Sequence, residues 1–168
     1  DFIRSEHSVR TTRSDARTEI SAGGKDGAAE WRYGGAYITK IKPRNADDFV
    51  WMSREAGASV NRGVYVAGVN FTRENLSIGT VAYQSPDIIN IVYSETKYRL
   101  PLAGGRELKL GAQFANQRST GDNLLTGKPF STHQWGAKGD LELGAPLLTL
   151  AYTRTASGAN MRTPWSGN

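Results

Sequence analysis

The residues of this chain best suited to chemistry are basic, and they recur at strand spacing. Lys40 and Lys42, Lys97 and Arg99, Lys109, and Lys138 each lie in a segment where alternate positions share one face. Such a row offers cationic heads to a carboxylate, and a guanidinium does so with two parallel hydrogen bonds. Lys40, Lys42, Lys97 and Arg99 sit near segment ends, where a long side chain also reaches interface water or lipid phosphate. Lys138 is followed by Asp140 and Glu142, so local charge balance and solute contact both stand. Lys109 is read as unpaired, which makes it the leading contact candidate. A second group, Arg44, Asp47, Asp48 and Arg54, falls in a polar stretch and would either line a constriction or serve as helix-capping and solvated charge.

Other chemistries are poorly supplied. With no cysteine and only His7 and His133, neither a zinc finger nor a thiol enzyme can be built. His133 follows Ser131 and Thr132, but no glycine-flanked nucleophile accompanies it, so no catalytic residue is assigned and the chain is not read as an enzyme. Gly23-Gly24 and Gly104-Gly105 read as turns, since neither opens a helix at phosphate-binding spacing. No metal or cofactor is implied. The excess of 21 Lys and Arg over 16 Asp and Glu lies wholly after residue 34 and is too small to argue a nucleic-acid partner.

The elements that must position the basic side chains are strands. From Glu30 onward, runs of about ten residues rich in Val, Ile, Tyr, Thr and Leu alternate with Gly, Pro, Asn and Asp. Seven strands are expected, over 30–42, 64–73, 76–84, 89–99, 106–118, 132–142 and 147–155. The fifth sets Leu108, Leu110, Ala112 and Phe114 against Glu107, Lys109, Gln113 and Gln117. The sixth sets Trp135, Ala137 and Leu141 against Gln134, Lys138, Asp140 and Glu142. The third and fourth alternate less cleanly, because Ile88, Ile89 and Ile91 run together. Residues 1–29 are polar, mixed in charge and without periodicity, and form a segment of unclear structure. Asn45 is expected to cap a helix over Ala46–Ala56, ended by Gly57, with Phe49 and Met52 on one face. That helix folds either into a lumen or out into solvent.

Length and composition set the class. One domain, or part of one, fits 168 residues. Leu, Ile, Val and Phe together number 33, thin for a soluble core. No apolar run approaches the roughly 20 residues of a membrane-spanning helix. A β-barrel needs apolar side chains only at alternate positions, and here the connections sort by end, with tight turns at one end of the strands and long loops at the other. The expected fold is therefore all-β, an antiparallel transmembrane β-barrel segment with a short helix in one long loop. Trp31, Tyr33, Tyr37, Tyr83, Tyr93, Tyr98, Trp135 and Tyr152 read as its aromatic girdles. A small closed barrel, with an eighth strand from 1–29, or a soluble β-sandwich are the alternatives.

Four stretches resemble the OprD-type outer-membrane porins of Gram-negative bacteria: Ile41-Lys42-Pro43-Arg44-Asn45-Ala46-Asp47-Asp48-Phe49 with Met52-Ser53; Asp87-Ile88-Ile89-Asn90-Ile91 with Tyr93 and Glu95; Gln117-Arg118-Ser119-Thr120-Gly121-Asp122 with Leu124-Leu125-Thr126-Gly127; and Gly158-Ala159-Asn160-Met161-Arg162-Thr163-Pro164-Trp165. The resemblance spans residues 36–168. It implies about seven strands of a larger, roughly 18-stranded barrel, so this chain would be a fragment. It also implies an outer-membrane location, lipid as the surrounding partner, and function as a monomer. Small polar solutes, carboxylates or amino acids, would diffuse passively along a lumen lined with basic side chains.

Overall fold

A computed structural model of the protein describes residues 6–14, 17–43, 47–143 and 146–165. The strands are β1 (Glu6–Ser14), β2 (Arg17–Asp26), β3 (Ala29–Ile38), β4 (Lys40–Ile41), β5 (Val50–Trp51), β6 (Val64–Arg73), β7 (Leu76–Ser85), β8 (Ile89–Pro101), β9 (Glu107–Arg118), β10 (Ser131–Glu142) and β11 (Leu147–Thr155). One four-residue helix, α1 (Met52–Glu55), follows β5. Nine strands form a single antiparallel sheet in the order β1-β2-β3-β6-β7-β8-β9-β10-β11, and β4 pairs with β5 in a separate two-residue ribbon. The sheet is an open meander, since β1 and β11 do not pair with each other.

The seven expected strands are all present, and two more precede them. β1 and β2 arise where the sequence shows no alternation. The reason lies in the backbone: β2 carries only Ile20 and Ala22 as apolar positions, and its hydrogen-bond ladder to β3 forms it from Arg17↔Ile38 to Asp26↔Ala29. Gly23 and Gly24 are accordingly strand residues, and the turn falls at Gly27, whose φ is +57°. A Cβ at Gly23 would stand 2.9 Å from the Trp31 carbonyl oxygen, which explains a glycine inside a strand.

The first long connection also departs from expectation. β3 ends at Ile38, and Lys40–Ile41 turns off to pair with Val50–Trp51. The expected helix over Ala46–Ala56 shrinks to Met52–Glu55, because Val50 and Trp51 are held in the ribbon and the Met52 amide donates to the Thr39 carbonyl at 3.0 Å. Asn45, its expected cap, lies outside the described residues. Phe49 precedes the helix and is exposed while Met52 is buried, so the two share no helical face. Gly57, with φ +99°, does follow the helix end.

The ends of the sheet differ as the connections predict. At one end sit the tight links 27–28, 74–75, 102–106 and 143–146; the three long segments, 39–63, 119–130 and 156–165, all lie at the other. Among the described residues no second sheet covers this one beyond the two-residue β4–β5 ribbon at the long-loop end. Among the described residues the buried apolar side chains are Met52, Ala58, Val64, Ile88 and Ile89, all at the long-loop end. A sandwich is therefore not formed, nor is the small closed barrel.

The register divides the side chains into two faces. One face holds Tyr65, Ala67, Val69 and Phe71 of β6, Ile78, Thr80 and Ala82 of β7, Val92, Thr96 and Tyr98 of β8, Leu108, Leu110, Ala112 and Phe114 of β9, Trp135, Ala137 and Leu141 of β10, and Leu148, Leu150 and Tyr152 of β11. Leu150 is 78% exposed and Tyr65, Val69, Leu110 and Phe114 are exposed too, so no described residue covers this face. The opposite face carries the ionised side chains of the mid-strand positions. Of the expected girdle aromatics, Trp31, Tyr33, Tyr37, Tyr98, Trp135 and Tyr152 lie on the apolar face. Tyr83 and Tyr93 lie on the polar one, with the Tyr93 hydroxyl 3.4 Å from both Glu95 and Gln113 side-chain oxygens.

Gly63 closes the approach of the first long loop to β6. A Cβ there would stand 2.7 Å from both the Ile38 carbonyl and the Tyr37 ring, while the Gly63 carbonyl accepts the Ser85 hydroxyl at 3.0 Å. Gly63→Ala is expected to destabilise the folded protein by ~1–3 kcal/mol, read as a lowered urea midpoint in detergent micelles.

Candidate functional site

The polar face of β8–β10 gathers four of the basic candidates near the short-turn end. Register places Arg99 directly opposite Lys109 on β9, and Lys97 in line with Gly111 and Lys138. These cations stand among carboxylates. Lys97 pairs with Glu95 at 2.7 Å, and Lys138 with Asp140 at 2.9 Å. Lys109 meets Glu142 at 2.5 Å and Glu107 at 3.7 Å, so it is not the unpaired cation the sequence suggested. The partner comes from β10, 33 residues on, a separation at which strand alternation carries no information on pairing. Asp140 also accepts the Thr149 hydroxyl at 2.6 Å, which extends the network to β11. Farther along the sheet, Glu30 bridges Arg32 at 2.6 Å and Lys25 at 3.6 Å.

Arg99 differs from these four lysines. Its side chain forms no ion pair among the described residues, and its like-charged cross-strand neighbour Lys109 turns toward Glu142. A like pair directly opposite is unfavourable unless acids or solute compensate it. The wall is thus a ladder of alternating sign with one uncompensated guanidinium.

The remaining candidates lie elsewhere. Lys40 is on the β4–β5 ribbon, with its ammonium 5.6 Å from the centre of the Trp51 ring, and Lys42 is exposed just beyond it. Neither belongs to the sheet wall, because the strand expected over 30–42 breaks after Ile38. Arg44 lies outside the described residues. Asp47 and Asp48 are exposed and precede β5, so they do not occupy a helical first turn. Arg54, on α1, donates to the Asn61 side chain at 2.6 Å and is exposed.

At the long-loop end the three long segments fold onto the polar face. Buried polar side chains of the sheet hold them there. Gln117 of β9 clamps Arg162, donating to its carbonyl at 2.6 Å and accepting its amide at 2.8 Å. Thr132 of β10 donates to the Ala159 carbonyl at 2.6 Å. Within the first loop, the Ser53 hydroxyl donates to the Val60 carbonyl at 2.5 Å and accepts the Arg62 amide at 2.8 Å. The turn after β7 joins two loops: Asp87 pairs with Arg62 at 2.9 Å, and its carbonyl accepts the Leu124 amide at 2.7 Å. Trp165 crosses the cluster, donating to the Met52 carbonyl at 2.9 Å with its ring 6.0 Å from that of Tyr83.

Beneath these bonds Ala58, Ile88 and Ile89 form a small apolar core, packed by Val60, Ile91, Leu125, Phe130 and Trp165. The run of isoleucines that blurs the alternation of β8 therefore belongs to the loop cover. The α1 loop packs on the polar face of the sheet. Sequence reasoning placed Gln117 on the polar face but missed its role, since a buried glutamine reads like any exposed one.

The chain matches no protein-family model and no curated protein. It is similar to one solved structure, the crystal structure of Pseudomonas aeruginosa OpdO, a porin of the OprD family, with a TM-score of 0.58 and 19% identity. The likeness covers 88% of this chain and 40% of the OpdO chain. At that identity it is a likeness of fold: an all-β antiparallel sheet similar to part of a porin barrel wall.

The Gln117 clamp yields a test. Gln117→Leu strips two buried hydrogen bonds from Arg162, a loss of ~1–3 kcal/mol locally. Tryptic cleavage after Arg162 in the detergent-solubilised protein is expected to accelerate by about 5–150-fold, with cleavage after Arg73 unchanged.

Proposed function

We propose that this chain forms part of the wall of an outer-membrane channel through which small polar solutes diffuse passively. The observation that carries this reading is the sorting of side chains: a polar face with paired charges and folded-in loops opposes an uncovered apolar face without mid-strand charge. Nothing among the described residues covers the apolar face, and hydrocarbon suits it. The nine to thirteen residues of the long strands match what a tilted strand needs to cross a bilayer, about 9–11. The likeness of fold to OpdO supports the same reading and suggests the outer membrane of a Gram-negative bacterium as the location.

On this reading the polar face is the lumen wall and the loop cluster narrows it at one end. Solutes meet charges of both signs, which suits zwitterions and carboxylates that must enter and leave without binding tightly. Arg99 is the position where an anionic solute finds an unengaged guanidinium. The channel works as a single chain, with lipid around it and no nucleic acid or cofactor.

Planar-bilayer recording with the protein extracted in detergent tests the proposal. Discrete conductance steps with an anion-leaning reversal potential are expected, and Arg99→Glu should move that potential toward cation preference. A protein that stays soluble without detergent and gives no steps would overturn the channel. Steps whose selectivity ignores Arg99→Glu would remove that residue from the path. The lipid contact has its own test: Leu110→Arg, at mid-strand on the apolar face, should cost ~2–4 kcal/mol of folding free energy in vesicles.

A further inference from the structure

At the long-loop end of the apolar face the character of the surface changes over β9–β11. Arg118 ends β9, His133 stands on β10, and Arg154 is the penultimate residue of β11. All three point to the apolar side. Register pairs Arg118 with Ser131, Asn116 with His133, and Trp135 with Arg154, so the two arginines flank the β10 stretch that holds His133. Phe114 and Trp135 lie level with Arg154 in the register and one same-face step toward mid-strand from His133, and Tyr152 lies one step farther. The Trp135 and Tyr152 rings are 5.2 Å apart, and Phe114 is 6.2 Å from His133.

Two facts make this patch more than a polar rim. First, it has no internal counter-charge. Every acidic residue of strands β6–β11, namely Glu95, Glu107, Asp140 and Glu142, faces the opposite side, where the lysines hold them. Neither Arg118 nor Arg154 forms an ion pair or side-chain hydrogen bond among the described residues. Second, the opposite end of the same strands is different in kind. There the apolar face carries Leu100, Leu108, Leu141 and Leu148 and no charge. On β9–β11 the cations mark the long-loop end alone, with an aromatic shelf at the depth where rings meet headgroups; farther along the sheet, Arg73 of β6 stands on this face at the other end.

We propose that Arg118, His133 and Arg154 form a binding site for the phosphate of an anionic lipid headgroup, with the lipid's acyl chains against Phe114, Trp135 and Tyr152. The inference rests on the reading that the apolar face meets lipid. Charge complementarity selects the ligand: two guanidiniums with no carboxylate within reach suit a phosphate diester, which each can grip with parallel hydrogen bonds. The long-loop end of the barrel would thereby be fixed at one leaflet surface, where basic side chains near anionic lipid each add to attachment.

Trp135 provides the reporter. The detergent-solubilised protein is titrated with brominated phosphatidylglycerol or brominated phosphatidylcholine in mixed micelles, and tryptophan quenching is followed. Phosphatidylglycerol should quench at about tenfold lower mole fraction than phosphatidylcholine, and Trp135→Phe should remove that component. In the double variant Arg118→Gln/Arg154→Gln the two lipids should quench alike. The preference of the unaltered protein should also fall as sodium chloride is raised, a measurement that needs no variant. Equal quenching by both lipids, or a preference that survives the double variant or high salt, would overturn the site. If neither lipid quenches Trp135, the apolar face does not contact lipid, and the channel reading fails with it.

Discussion

The structure depends on the inter-strand backbone ladder, because among the described residues no second layer lies along the mid-strand stretch to hold the sheet together from outside. A single-layer sheet has two open faces, and each residue is assigned to one of them by the pleat alone. A slip of one residue in β8, β9 or β10 would carry a lysine onto the apolar side and a leucine onto the polar side. The continuous pairings from Asn90↔Arg118 to Pro101↔Glu107 and from Ser131↔Arg118 to Leu141↔Leu108 leave no such slip in β8–β10. Charge pairing then follows register: Lys109 finds Glu142, and Lys138 finds Asp140, because the pleat has delivered them to the same side.

Local packing matters only where the ladder ends. At the long-loop end, three segments that could have stayed in solvent are drawn onto the polar face by a handful of buried polar groups. Gln117, Thr132 and Ser85 each satisfy loop or strand-end backbone, and Ile88 and Ile89 add an apolar floor. Buried backbone groups outside the ladder need such partners. The glycine at 63 and the left-handed conformations of Asp87 and Gly121 are where the chain bends tightly enough for this cover to fit.

Much of this was legible in the sequence, and the exceptions share a cause. The strands from β6 to β11 announce themselves by period two, and the sorting of short and long connections holds. β1 and β2 do not, since serine, threonine, glycine and arginine fill positions where a face would otherwise show. Helix α1 is shorter than the sequence suggests because Asp47 and Asp48 look like a helical first turn while Val50 and Trp51 prefer the extended ribbon. Tyr83 and Tyr93 were assigned to girdles by type, but only register fixes their side. Lys109 shows the limit most clearly: alternation gives its face, and nothing near it in sequence gives Glu142.

The strand count has a geometric consequence. A meander of nine antiparallel strands is odd, so β1 and β11 run in the same direction, both leaving the short-turn end. A seam made directly between them would be parallel, with slanted, evenly spaced hydrogen bonds unlike every other joint in the sheet. An all-antiparallel cylinder containing this sheet must insert an odd number of strands between its two edges. A second upright copy supplies nine strands, an odd number, but its edge strands run the same way as β1 and β11, so both joints would be parallel seams.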